Sequence, residues 1–255
     1  MTDSGASRSL GGGREPWQQA VITDIRRLTS RVVSVTLRPE RWRPFLPGQH
    51  VDVRLTAEDG YQAHRAYSIA SAPSAGTTFE LVIERLADGE VSPFFHEVAA
   101  PGDTLDVRGP FAEHFVWRTS EPGGVFLAAG GSGVAPFLSM VRERARLASP
   151  PPMALLYSAR TWDEVIAREE LLANERSQRG FSFTCCLTRE SARRPTDFST
   201  RVNASVVSHV LERMAEAPRH FFVCGANRFV GSVSDILVAR GVPPSAIRTE
   251  RYGGA

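Results

Sequence analysis

The hydrophobic period changes once along this chain, near residue 120, and that change limits what it can fold into. Before it, short runs alternate apolar and polar residues between turn signals, the period-2 pattern of half-buried strands. Such runs occupy 19–29 and 31–38, a stretch opened by Pro47-Gly48 through His50, Val51, Val53 and Leu55, then 65–69, 79–85 and 103–108. Nothing in this part has the length or period of a long amphipathic helix. Beyond Glu121-Pro122-Gly123-Gly124, buried-type apolar runs at 125–129, 154–158, 181–187 and 220–224 alternate with helical stretches at 135–147, 163–176, 204–214 and 228–240, and a last strand covers 247–252. The first pattern predicts a six-stranded antiparallel barrel over 17–120. The second predicts an open five-stranded parallel sheet with helices over 121–255, so the fold class is β followed by α/β.

Composition narrows the chemistry. All 30 basic side chains are arginine and none is lysine, which removes a Walker-type phosphate loop, a pyridoxal-phosphate Schiff base and an amine nucleophile. A coding bias is the ordinary origin of such an absence. A net charge of +2 gives no electrostatic case for nucleic acid or a membrane surface. The apolar runs are strand-sized, far short of a bilayer span. Residues 1–16 are rich in Ser, Gly and charge without an apolar stretch, so they are expected to be a disordered tail rather than a signal peptide, in a cytoplasmic protein. Three cysteines cannot make a four-thiolate cluster or a disulfide framework, and the six histidines lack close ligand spacing, so no metal is expected.

Two motifs carry chemistry. Gly130-Gly131-Ser132-Gly133-Val134-Ala135-Pro136 lies between a predicted strand and a predicted helix, where main-chain amides can cradle a pyrophosphate. A ligand-free tight turn would favour glycine equally. A hydrolase elbow is excluded because position 134 is Val. Arg65-Ala66-Tyr67-Ser68 puts an arginine and a tyrosine on one strand face and the serine on the other, which on its own reads as an alternating strand with an ion-paired arginine. Around these stand Leu46-Pro47-Gly48-Gln49-His50, Gly89-Glu90-Val91-Ser92, Gly102-Asp103, Gly109-Pro110-Phe111, Cys224-Gly225 and Glu250-Arg251-Tyr252.

In that order and spacing, the motifs resemble those of the ferredoxin–NADP reductase superfamily, whose members pair an FAD-binding barrel with a pyridine-nucleotide domain. The resemblance covers nearly everything after residue 16. It implies that Arg65 pairs with the FAD pyrophosphate, that Tyr67 stacks on the isoalloxazine and that Ser68 bonds near flavin N5. It further implies that Gly89, Val91 and Ser92 make a second pyrophosphate contact through amides and the Ser92 hydroxyl. His50, Val82 and Glu84 are expected to line the flavin pocket or simply to pack the strands. The family often has glycine soon after Gly-Pro, whereas this chain has Phe111-Ala112, which leaves the adenine-side contact open.

For the second domain the resemblance assigns Gly131, Ser132, Gly133 and Pro136 to the nicotinamide dinucleotide's pyrophosphate, with Cys224 and Gly225 beside the nicotinamide. Ser158, Arg160, Arg189 and Arg201 resemble positions at which bacterial reductases hold the adenosine 2′-phosphate, so NADPH is expected over NADH. Glu250 and Tyr252 have the spacing of the family's catalytic glutamate and flavin-covering aromatic ring, or else form a plain edge strand. Cys185 and Cys186 are read as core. The implied enzyme is a monomeric flavoprotein reductase passing hydride from NADPH to FAD, with Tyr67, Ser68, Cys224, Glu250 and Tyr252 as catalytic residues. With no cluster domain in the sequence, electrons are expected to pass to a separate redox protein, such as a ferredoxin, flavodoxin or oxygenase component. The alternatives are a reductase of free flavin or ferric chelates, and a non-catalytic FAD-binding subunit or sensor.

Overall fold

Strands in the first half begin where β-branched and aromatic residues alternate with charged ones. A computed structural model describes residues 15–73, 76–112 and 114–252. Six strands, β1 (Gln18–Arg27), β2 (Val32–Pro39), β3 (His50–Thr56), β4 (Gln62–Ser68), β5 (Phe79–Glu84) and β6 (Thr104–Phe111), form one antiparallel sheet in the order β4-β3-β6-β1-β2-β5. An isolated Ile69–Leu81 bridge joins its two edges, so the sheet closes on itself. One face of each strand fills the interior: Ala20 and Ile22, Val33 and Val35, Val51 and Val53, Leu81 and Ile83, and Leu105 and Val107 belong to a single cluster. The short helix α1 (Ser92–Glu97) carries Pro93 in its first turn, where no amide partner is lost, and adds buried Phe95 to that cluster.

The second half alternates β7 (Gly124–Gly130), α2 (Ala135–Arg144), β8 (Met153–Ala159), α3 (Arg168–Ser177), β9 (Phe181–Leu187), α4 (Ala204–Glu212), β10 (Pro218–Ala226), α5 (Asn227–Ala239) and β11 (Ile247–Tyr252). These strands form a parallel sheet in the order β11-β10-β7-β8-β9. Layers on both faces explain why β7 and β8 are almost continuously apolar rather than alternating. Val125, Leu127 and Ala129 face α2, while Phe126 and Ala128 face the cluster of α4 and α5. Cys185 and Cys186 are both fully buried, one in each layer, as core residues.

Helix α2 is buried nearly all round because it is covered twice, by the parallel sheet and by the barrel. Val32, Ala70, Val82, Phe115 and Trp117 from the first half share one cluster with Leu127, Phe137, Met140 and Phe222 from the second. The expected helix over 163–176 is a correction. A 3-10 turn at Trp162–Glu164 leads through buried Val165 and Ile166 to Ala167 in the left-handed region at φ 55°, and the α-helix starts only at Arg168. Two consecutive apolar residues draw the chain inward there, which a continuous helix could not do. The tail expected over 1–16 lies outside the described residues as far as residue 14, and Glu15 is held by Arg43 at 2.6 Å. No helix among the described residues is long and apolar enough to cross a membrane.

Candidate functional site

The sheet order reverses between β7, from which the chain runs out to β8 and β9, and β10, to which it returns. Ligands of open parallel sheets bind outside the carboxyl ends of the strands at such a point. Here the glycine turn Gly131–Val134 leaves β7, and Gly225 lies in the last two residues of β10. Only glycine fits at 133, since a Cβ there would lie 2.5 Å from the Cys224 carbonyl oxygen. Gly131 takes φ +56°, so the turn is tight as well as close-packed.

Over this turn opens a cavity of about 790 Å³, lined by Gly131, Ser132, Ser158, Arg160, Arg189 and Arg201 of the parallel-sheet half and by Thr29, Arg31 and Glu84 of the barrel. Amides of Thr188 and Arg189 bond the carbonyls of Ala159 and Arg160 at 3.0 and 2.9 Å, which sets the segments after β8 and β9 side by side. Arg160 is paired with Glu164 at 2.6 Å. Among the described residues Arg189, Arg201 and Arg228 make no ion pair, although they all line the cavity. Unpaired guanidinium groups around an open cavity beside a glycine turn fit a ligand with several phosphate charges. Arg228 escaped the sequence reading; its place four residues after Cys224, at a strand-to-helix junction, was the available signal.

The chain's own side chains engage the turn. Tyr252 receives the Gly133 amide at 3.1 Å and donates its hydroxyl to the Gly130 carbonyl. Ser132 Oγ donates to Glu84 at 2.9 Å. Glu84, expected to line the flavin pocket or simply to pack the strands, thus lines this cavity beside the glycine turn. Two other residues named in the sequence do not line this cavity, and for Val82 the packing alternative holds. Val82 is buried between the halves, because it points away from the barrel side of β5 and onto α2. Pro136 is buried within the first turn of α2, one turn past the glycines, and does not line the cavity.

Strand β11 is an edge strand, yet its register also brings the expected pair together: Glu250 lies opposite Cys224 and Tyr252 opposite Ala226. Across the interdomain contact, Ser68 Oγ stands 3.5 Å from both Glu250 carboxylate oxygens, a long hydrogen bond. Burial pushes the Glu250 carboxyl up to about 7, with the Ser68 hydroxyl opposing. Burial, then the Glu250 charge, raises the Cys224 thiol well above its ordinary range, so it is a neutral wall rather than a nucleophile. Burial also moves the Tyr252 hydroxyl up to about 12.

Along β4 the remaining residues run outward from Ser68. Tyr67 is largely buried, its ring edge-on to Phe95 at 6.3 Å. His50 sits opposite Ser68 in the β3–β4 register and 5.9 Å from the Phe111 ring, and burial lowers its pKa despite Asp52. Arg65, half exposed, pairs with Glu90 at 2.7 Å, while the other Glu90 oxygen accepts the Tyr61 hydroxyl. A guanidinium, an aromatic ring and a serine spaced along β4, with the Glu250 carboxyl of β11 across from the serine, fit an elongated flavin dinucleotide. At the Gly89 turn, Ser92 Oγ is buried and accepts the Leu86 amide at 3.0 Å, and the Val91 side chain is wholly inside the barrel. Any contact from Val91 to a ligand must come from its main chain.

Comparison with known proteins agrees with this geometry. Residues 21–116 match the oxidoreductase FAD-binding domain family and residues 127–235 the oxidoreductase NAD-binding domain family. Ferredoxin–NADP reductase B of Sorangium cellulosum (strain So ce56) is 31% identical over 249 residues, covering 93% of this chain and 98% of that protein. The toluate 1,2-dioxygenase electron transfer component of Pseudomonas putida is 24% identical over 241 residues, 93% of this chain and 68% of its own length. The crystal structure of a ferredoxin NADP+ reductase from Neisseria gonorrhoeae with bound FAD and NADP superposes with a TM-score of 0.75 at 26% identity, over 92% of this chain and 98% of that one. With a barrel for FAD, a parallel sheet for a pyridine nucleotide and a nearly full-length relative, the chain is an FAD-dependent oxidoreductase of the ferredoxin–NADP reductase family.

Proposed function

We propose that this reductase prefers NADPH to NADH and delivers its electrons to a separate redox protein of the ferredoxin or oxygenase-component type. The observation that carries the first part is the set of arginines around the cavity, three of them without an acid partner among the described residues. A 2′-phosphate needs fixed positive charge, and NADH offers nothing at that position. Glu164 already neutralises Arg160, so the weight falls on Arg189 and Arg201, with Arg228 toward the pyrophosphate side.

When bound, the two cofactors supply hydride transfer between nicotinamide and flavin and the release of single electrons. The chain holds and shields them. Tyr67 and Ser68 form the flavin side, Cys224 and the glycine turn the nicotinamide side, and Glu250 keeps a proton within reach of Ser68 near neutral pH. Tyr252 must leave the Gly130 carbonyl and the Gly133 amide before a pyrophosphate can use that turn.

The test compares kcat/KM for the two nucleotides in FAD-loaded protein; a preference for NADH overturns the assignment. In Arg189→Ala and Arg201→Ala, loss of one charge-assisted bond raises the KM for NADPH roughly 10- to 100-fold and leaves that for NADH within about twofold. Failure of both NADPH and NADH to bleach the flavin without oxygen would leave only a binding subunit. Offering a ferredoxin and free flavin in parallel separates protein-acceptor from free-flavin reduction.

A further inference from the structure

Arginine 142, on the far end of α2 from the glycine turn, lies outside every motif considered so far. Its side chain is 21% exposed and makes four bonds. Nε and Nη2 fork onto the Glu170 carboxylate of α3, both at 2.6 Å. Nη1 donates across to the barrel, to the Ala70 carbonyl at 2.8 Å and to Glu80 of β5 at 2.7 Å. Glu80 is itself fixed by the Ser34 hydroxyl at 2.5 Å. One turn earlier on α2, the Ser139 hydroxyl donates to the Ser71 carbonyl at 2.7 Å. Two consecutive carbonyls just beyond Ser68 are therefore gripped by the helix whose other end begins at the glycine turn.

Both ends of this connection matter to the reaction. Ser68 belongs to the flavin side, and the glycine turn seats the nicotinamide nucleotide. Between them lie only the segment 69–71 and the rigid helix α2. We propose that Arg142 is a positioning residue for hydride transfer: by clamping Ala70 and Glu80 to α2 it fixes the nicotinamide ring over the flavin. The inference rests on the reductase reading, and it touches neither cofactor directly. Because hydride transfer depends steeply on ring separation, a loosened clamp lowers the transfer rate while nucleotide affinity, set by the cavity arginines, stays nearly constant.

Anaerobic rapid mixing of FAD-loaded Arg142→Met with NADPH tests this. The expected result is an unchanged FAD affinity, a nucleotide dissociation constant within about threefold, a hydride-transfer rate lower by roughly 10- to 100-fold, and loss of the long-wavelength charge-transfer absorbance of stacked rings. Two further variants separate the clamp from ordinary helix packing. Glu80→Gln, on the barrel side, reproduces the defect, whereas Glu170→Gln, within the parallel-sheet half, does not. Arg142→Lys, which keeps one cationic donor for Ala70 and Glu80 but loses the fork on Glu170, recovers most of the rate. A wild-type rate and charge-transfer band in Arg142→Met and Glu80→Gln, or a defect that follows Glu170 instead, overturns the inference while leaving the reductase reading intact. Wild-type protein that neither NADPH nor NADH reduces overturns both. Should Arg142→Met not fold, Glu80→Gln and Arg142→Lys carry the same comparison.

Discussion

Glu250 is the side chain at which burial, proton binding and the proposed reaction meet. Its carboxyl titrates near 7 in the folded protein because burial disfavours the charge, whereas an unfolded chain restores the ordinary value. The folded state thus binds more protons between the ordinary carboxylate pKa and 7. Stability from this group is full at low pH and declines as pH rises toward and through 7. Glu250→Gln, always neutral, removes that slope: relative to wild type it gains stability at about pH 8 compared with about pH 5, measured by urea unfolding at each. The same substitution removes a titration near neutrality from the pH profile of turnover. An unchanged profile and an unchanged pH dependence of stability would show that Glu250 is solvated and ordinary.

At the scale of elements, the tight contact is the glycine turn against β10. Gly133→Ala forces a Cβ to within 2.5 Å of a main-chain oxygen that β-sheet bonding holds in place, so it costs roughly 1–3 kcal/mol and also blocks nucleotide from the turn. Thermal unfolding and nucleotide titration should change together, and a variant that binds normally would mean that the turn can open. The strand and helix sequence was legible because each element carries its period locally; the breaks at Pro47-Gly48 and Pro122-Gly123-Gly124 fall at its joints. The helix over 163–176 was misjudged because Val165 and Ile166 keep helical spacing while being pulled inward by a core that only the tertiary fold creates. Partner choice was equally hidden. Nothing local to Glu84 says that it reaches Ser132, or to Arg142 that it reaches Glu80, since those pairs are separated by 48 and 62 residues. The cavity arginines were found only where a resemblance pointed, and Arg228 had none.

Across the whole molecule, the barrel and the parallel sheet share one buried cluster built on α2, with Trp117 fully enclosed in it. Halves joined through a common core cannot lose one partner without exposing the other. A single thermal transition is expected, coincident by far-ultraviolet circular dichroism and tryptophan fluorescence, and two separated transitions would show that the halves are energetically independent. The three thiols add a distinction to that picture. Cys185, Cys186 and Cys224 all lie buried on β9 and β10, and the barrel has no cysteine at all. An alkylating reagent added to the native protein therefore has to wait for the parallel sheet to open, and its rate is a clock for that event alone. Saturating nucleotide should slow the clock; a flavin that holds only the barrel should leave it running unless the shared core carries its stabilisation across.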